Sequence, residues 1–242
     1  MYKIIALWSH PRAISTAFLR MIMERGDFHV IYEPFCNFQA LQRLELTDPE
    51  GKLVVIESPE ALIEYIFYCA QIKPVFFKDT CEYRYIELLE NPQFLSQIIN
   101  TFIIRHPRKA IPSHYAVNPK VTLDEIGYEY QFEIFTKTRE LGERQPVVFA
   151  GEDLIAQPSQ VVQAYCNAVD IPFIAEALSW ESGERQEWER TKKWHIDINK
   201  TKKIVNLEKS YSVNVDNNPE LHRYYNYHLR FYNEMYGFRL QA

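Results

Sequence analysis

Short apolar runs alternate along the chain with stretches of helical period. Residues 2–8 (YKIIALW) read as a buried strand. From Ala13 the period changes: Ala13, Ile14, Ala17, Phe18, Met21 and Ile22 share one helical face, and Gly26 supplies a natural stop. A second strand is expected at 29–32, a helix over 59–71, and further buried strands at 74–78 (PVFFK), 101–105 (TFIIR) and 145–150 (QPVVFA). Helices are expected over 107–115 and from Pro158, the latter carrying Val161, Val162, Tyr165, Cys166 and Val169. Thr122 with Glu125 forms a capping box ahead of Ile126, Tyr130 and Ile134. From Trp180 the periodicity weakens and charge rises, until Pro219 opens a last amphipathic helix through Tyr236. Strands alternating with helices predict an α/β fold with a central, mostly parallel sheet. Residues 1–242 read as a single domain, with 180–218 as its mobile, lid-like element.

Composition narrows the classes. The chain has 27 basic and 32 acidic residues, a net charge of −5, which argues against a general nucleic-acid binder but leaves room for a local basic pocket. Hydrophobic residues make up 47% and charged ones 24%, the balance of a folded globular protein rather than a disordered one. Only 7 of 242 residues are glycine, so Gly-rich linkers and repeats are excluded. No apolar run approaches the roughly 20 residues of a membrane helix. The apolar start is too short for a signal peptide. Cys36, Cys69, Cys81 and Cys166 are scattered, without a C-x-x-C pair, so free thiols in a reducing cytoplasm are expected and a metal site is not.

Ligands of a parallel sheet bind beyond the carboxyl ends of its strands, where helix N-termini gather. Two strand ends carry polar clusters. The first, SHPRAISTAF at 9–18, joins the first strand to the first helix; its backbone N–H groups, Arg12, Ser15 and Thr16 suit a phosphate or sulfate. The second, RHPRKAIPSHY at 105–115, puts Arg105 at a strand end and Ser113 eight positions later on the following helix. Alone, each is also consistent with a capped turn carrying a surface arginine.

Together, in this order and spacing, they resemble the sulfotransferases that use 3′-phosphoadenosine 5′-phosphosulfate (PAPS). In that family a P-K-S-G-T-T loop binds the 5′-phosphosulfate and a later R-x7-S binds the 3′-phosphate. Pro11, Arg12, Ala13, Ile14, Ser15 and Thr16 fall on the first pattern, and Arg105 with Ser113 on the second. The segment 147–158 (VVFAGEDLIAQP) resembles a third family stretch, so the resemblance spans about residues 1–170. It implies a P-loop-like three-layer fold, PAPS as co-substrate, no metal, and a small-molecule acceptor.

The departures refine it. Arg12 replaces the usual lysine, Ile14 the loop glycine, and Ala17 the aromatic that often stacks on adenine. Lys78, Asp79 and Thr80 stand where vertebrate cytosolic members carry a catalytic histidine, and the C-terminal R-K-G loop is absent. The resemblance is therefore to bacterial small-molecule sulfotransferases. Some of these supply a glutamate after the second strand, which Tyr32-Glu33-Pro34-Phe35 resembles. A carboxylate there, flanked by Tyr32, Phe35 and Phe38, suits acceptance of the acceptor's proton. His10, within the phosphate loop, is the rival base. Lys78, Asp79 and Tyr32 are expected to line the acceptor site. Trp194 and His195, in the basic stretch 185–203, are expected to cover the nucleotide, although mixed charge of this kind also describes a solvated helix face.

Two other classes compete with sulfuryl transfer. A P-loop kinase is weakened by the missing G-x-x-x-x-G-K-[ST], there being no glycine before Gly26. A non-catalytic nucleotide-binding module would explain the changes at Ile14 and Ala17, and turnover separates it from an enzyme. The acceptor is expected to carry positive charge or a polar ring. Tyr32, Phe35, Phe38, Tyr65, Phe67, Tyr68, Tyr83 and Tyr85 with Glu33, Asp79 and Glu82 form a set able to hold a cation, unless the rings are core.

Overall fold

The computed structural model describes residues 1–142, 144–194, 198–205 and 209–241. The first half runs β1 (Ile4–Ser9), α1 (Ser15–Arg25), β2 (His29–Tyr32), α2 (Pro34–Leu41), β3 (Leu44–Thr47), β4 (Leu53–Ile56), α3 (Pro59–Ile72) and β5 (Val75–Thr80). It continues α4 (Ile86–Leu89), α5 (Pro92–Gln97), β6 (Ile99–Ile104), α6 (Pro107–Tyr115), α7 (Tyr128–Leu141), β7 (Val147–Ala150), α8 (Gly151–Ala156) and α9 (Pro158–Ala168). Short 3₁₀ turns at Asp124–Ile126, Ala175–Leu178, Gln186–Trp194 and Ile198–Lys200 precede or join these, and α10 (Pro219–Tyr236) follows.

Five strands form one parallel sheet in the order β2-β5-β1-β6-β7, with Ile4 opposite Val75 and Ile5 opposite Ile99. Period-two alternation gives each face its own core. Ile4, Ala6 and Trp8 pack with Phe77 and Phe102 against α3, α5, α7 and α10. Ile5 and Leu7 pack with Phe76 and Ile103 against α1 and α9. The fold is thus a three-layer α/β sandwich. Burying each side chain the size of Phe18 or Phe76, both fully enclosed, stabilises it by about 1.5–3 kcal/mol.

Connectivity places the site. From β1 the chain leaves through α1 toward β2 at one edge, and from β6 it leaves through α6 and α7 toward β7 at the other. The carboxyl ends of neighbouring β1 and β6 therefore open a crevice, the position at which such sheets bind ligands.

Several elements differ from expectation. The helix expected from Ala13 starts at Ser15, because Arg12 and Ile14 are left-handed. The Thr122–Glu125 box forms, with Glu125 Oε2 accepting from the Thr122 N–H at 2.7 Å, but it caps only a 3₁₀ turn. Gly127, at φ 85°, separates that turn from α7, and a Cβ there would meet Cys81 O at 2.8 Å and Pro11 Cδ at 3.0 Å. The antiparallel β3–β4 hairpin and α2 were not anticipated. Among the described residues, no helix is long and apolar enough to cross a membrane.

Candidate active site

Residues 10–16 bend sharply between β1 and α1. Arg12 (φ 66°) and Ile14 (φ 73°) are both left-handed, a conformation that costs an L-residue about 1–2 kcal/mol. Glu33, after β2, is left-handed too, at φ 46°. Backbone strain of this kind collects where function over-determines geometry. Gly151 lets the loop close: a Cβ there would lie 3.1 Å from Ala13 O and 3.2 Å from Ile14 Cδ1. The bend leaves Ser15 and Thr16 opening α1 with no side-chain cap and no acidic residue in the first turn. Ile14, Ser15 and Thr16 line a cleft of about 1400 Å³, so the positive end of α1 faces it, while Ala13 is buried beneath.

The second cluster meets the first. Arg105 Nη1 donates to Arg12 O at 3.2 Å, and Arg12 Nε donates to Ser113 Oγ at 3.0 Å. Arg105, Ser113 and Arg12 all line the cleft. Among the described residues, the buried Arg105 Nε has no hydrogen-bond partner. A guanidinium N–H of this kind is costly to leave unmet, and an anion would satisfy it.

His10 is placed differently from a base. It is fully buried and absent from the cleft wall. Its Nδ1 lies 2.8 Å from Pro11 O, and its Nε2 accepts the Arg105 N–H at 3.0 Å. Only the neutral ring protonated at Nδ1 satisfies both partners. Burial pushes its pKa down to about 3. The ring stacks on Tyr128, centroids 3.8 Å apart, and the Tyr128 hydroxyl donates to Arg105 O. With both nitrogens occupied, His10 ties the two anion loops together. His10→Phe should keep the stacking but leave the Arg105 N–H unpaired, lowering stability by about 1–3 kcal/mol in urea unfolding. A variant as stable as wild type would show that the tie carries nothing.

Glu33 and Lys78 meet at the ends of β2 and β5: the Lys78 ammonium donates to Glu33 Oε1, and both line the cleft. The pair is nearly enclosed, with side chains 4% (Lys78) and 10% (Glu33) exposed. Tyr32 also lines the cleft, its hydroxyl 3.1 Å from Thr191 Oγ1, and its ring centroid lies 5.5 Å from Lys78 Nζ. Asp79 does not. It is fully buried, and its carboxylate accepts the N–H groups of Phe35 (2.6 Å), Cys36 (3.2 Å) and Thr80 (2.8 Å), capping α2 across 44 residues of sequence. Burial and the Glu33 charge raise its pKa to about 7. Half of the eight expected acceptor rings are likewise core: Phe35, Phe38, Tyr65 and Tyr85 are buried, Phe67 packs against that core, Tyr68 is exposed away from the cleft, and Tyr32 and Tyr83 line it.

Trp194 reaches the site through its carbonyl, which accepts from Arg12 Nη1 at 2.9 Å. His195 lies outside the described residues. Arg190, Lys193 and Lys203 of the basic stretch line the cleft, whereas Arg185 and Lys202 pair with Glu24 (2.8 Å) and Glu181 (3.1 Å). Sequence reasoning gave no site role to Lys109, to Glu125, which it read as half of a capping box, or to Glu152, and all three line the cleft. Glu152 stands second in α8, immediately beyond a strand end, and that position was its available signal.

An uncapped helix N-terminus and two converging arginines stand at the switch point of a parallel sheet, an arrangement that suits an anion, on an α/β fold of the P-loop-like kind. More narrowly, residues 2–217 match the family model described as "Sulfotransferase domain", and the chain belongs to that family. Two solved structures share the fold. The sulfotransferase domain from the curacin biosynthetic pathway is 14% identical at a TM-score of 0.52, covering 94% of this chain and 97% of that one. The sulfotransferase from Alicyclobacillus acidocaldarius is 10% identical at 0.52, covering 99% and 98%. Among curated proteins, branched-chain-amino-acid aminotransferase-like protein 2 of Arabidopsis thaliana is 25% identical over 184 residues, 75% of this chain and 32% of that protein. The chain thus spans about a third of the length of the curated relatives it matches, whose names describe those longer proteins.

Proposed function

We propose that the chain moves a sulfuryl group from PAPS to a hydroxyl or amine of a small-molecule acceptor, releasing adenosine 3′,5′-bisphosphate. The observation that carries this reading is the meeting of two anion-binding turns on one wall, Arg12 Nε to Ser113 Oγ at 3.0 Å and Arg105 Nη1 to Arg12 O at 3.2 Å. A donor with phosphates on both its 3′ and 5′ positions calls for two such adjacent sites. The uncapped start of α1 suits the 5′-phosphosulfate, and the unpartnered Arg105 Nε suits the 3′-phosphate.

In this scheme the acceptor's nucleophilic atom attacks sulfur in line with the bridging oxygen. The bond between sulfur and that oxygen breaks, its electron pair goes to the leaving 5′-phosphate, and the acceptor's proton goes to Glu33. Arg12, the Ser15 and Thr16 hydroxyls and the α1 N–H groups stabilise the growing charge, and Lys78 holds the Glu33 carboxylate in place. His10 takes no part in proton transfer.

Thermal shift tests the donor directly: adenosine 3′,5′-bisphosphate should raise the melting temperature well above the effect of AMP. Arg105→Ala should then weaken adenosine 3′,5′-bisphosphate binding by about 1.5–3 kcal/mol, the scale of a charge-assisted hydrogen bond, while adenosine 5′-phosphosulfate barely changes. Equal losses for both ligands would remove Arg105 from the 3′-phosphate.

A further inference from the structure

The carboxyl edge of the sheet is electrostatically divided. Following the strand order, β2 and β5 contribute Glu33, Lys78 and Thr80, with Glu82 just beyond, whereas β1 and β6 contribute Arg12 and Arg105. In the β2–β5 half Lys78 is already committed to Glu33. Glu82 is not matched in this way. Its side chain is 19% exposed on the cleft wall, and the ion-pair contact it makes among the described residues is with His114 Nε2, 3.8 Å away. That ring is buried with both nitrogens lacking hydrogen bonds, and burial with the Arg12 charge pushes its pKa down to about 3, so it offers Glu82 no positive charge. Glu125 adds a second carboxylate beside Glu82; among the described residues it accepts the Thr122 N–H and hydroxyl, at 2.7 and 2.9 Å. Lys193, from the facing segment, is a further cation that acts on Glu82 among the described residues, and its ammonium sits 5.2 Å from the Trp194 ring centroid. Thr80 lines the same wall, 5% exposed, with a hydroxyl that has no partner.

A largely desolvated carboxylate without a hydrogen-bond donor is costly, and a bound cation would offset that cost. We propose that the acceptor carries a positively charged group, an ammonium or guanidinium, that Glu82 and Glu125 seat beside the reacting atom. This rests on the sulfuryl-transfer reading. The charged group is not itself the nucleophile, because a protonated amine has no lone pair to attack sulfur. The acceptor therefore pairs a cation with a separate hydroxyl or neutral amine. Burial and the neighbouring Glu125 and Glu33 charges raise the Glu82 pKa to about 7, in keeping with a site that lacks its counter-charge.

The test uses two matched probe sets: tyramine, 4-propylphenol and 3-(4-hydroxyphenyl)propanoate, then 3-aminopropan-1-ol, butan-1-ol and 3-hydroxypropanoate. Each is titrated calorimetrically into the protein saturated with adenosine 3′,5′-bisphosphate at pH 8. The ammonium member of a set should bind at least about tenfold tighter than its neutral counterpart, with the carboxylate weakest. Glu82→Gln should abolish that preference, and Glu82→Lys should turn it toward the carboxylate, with nucleotide affinity in both variants near wild type. Equal affinities, a preference that survives Glu82→Gln, or no binding of any ammonium probe would overturn the proposal. If the nucleotide itself fails to bind wild type, the sulfuryl-transfer reading falls instead, and titration without nucleotide still reads the cation preference.

Discussion

Glu33→Gln is expected to cut turnover by about 10²–10⁴, the usual contribution of a general base, while nucleotide binding survives. Turnover is read as adenosine 3′,5′-bisphosphate released from PAPS, with an acceptor or with water as the slow one. The substitution removes the proton acceptor but keeps a carbonyl oxygen that can accept from Lys78, the group now donating to Glu33 Oε1. It also leaves the Lys78 ammonium, 4% exposed, without its counter-charge, and such a charge is costly when unpaired. A lower melting temperature is therefore expected alongside the lost activity. Glu33→Gln combined with Lys78→Met separates the two effects: stability should recover and turnover should not. Retention of most activity by Glu33→Gln, together with its loss in His10→Phe, would reverse the assignment of the base.

The sheet was legible because its strands are covered on both faces and so read as continuous apolar runs, as 101–105 and 145–150 do. The last helix was legible for the opposite reason: α10 is half exposed, and its buried residues Leu221, Tyr224, His228, Phe231, Tyr232 and Met235 recur at helical spacing. Helix α2 was hidden because its eight residues carry little period and its cap comes from Asp79, far along the chain. The β3–β4 hairpin had a turn signal in Asp48, whose Oδ1 accepts the N–H groups of Glu50 (3.0 Å) and Lys52 (2.9 Å), but its strands are only four residues each.

The site divides along the same line. Arg12, Arg105 and Ser113 lie in local turns, so their order and spacing could carry the family resemblance that singled them out, and the structure brings the three together. Roles that depend on strand order were not readable. His10 and Asp79 look like reactive groups in isolation, yet each is consumed by backbone N–H groups of a distant segment, Arg105 for one and Phe35 with Cys36 for the other. The association of Glu82 with Glu125 likewise arises only when the turn before α7 folds against the end of β5.

Arg12→Ala should lower kcat by about 10²–10³ and raise the KM for PAPS by a smaller factor. Its guanidinium is held from two sides, by Ser113 Oγ and by Trp194 O at 2.9 Å, and these contacts aim it across the start of α1. A fixed positive charge there stabilises the leaving phosphate most when charge has built up on it, which is the transition state rather than the ground state. Alanine is about as strained as arginine at φ 66°, so the backbone should not relax into a new loop. Arg12→Lys gives the complementary result. A single ammonium lacks the planar fork that reaches Ser113 and Trp194 together, so the charge is kept while the aim is lost, and kcat should fall less than in Arg12→Ala. An unchanged kcat with weaker PAPS binding in Arg12→Ala would reduce the residue to a ground-state anchor and shift transition-state stabilisation onto the α1 N–H groups, Ser15 and Thr16.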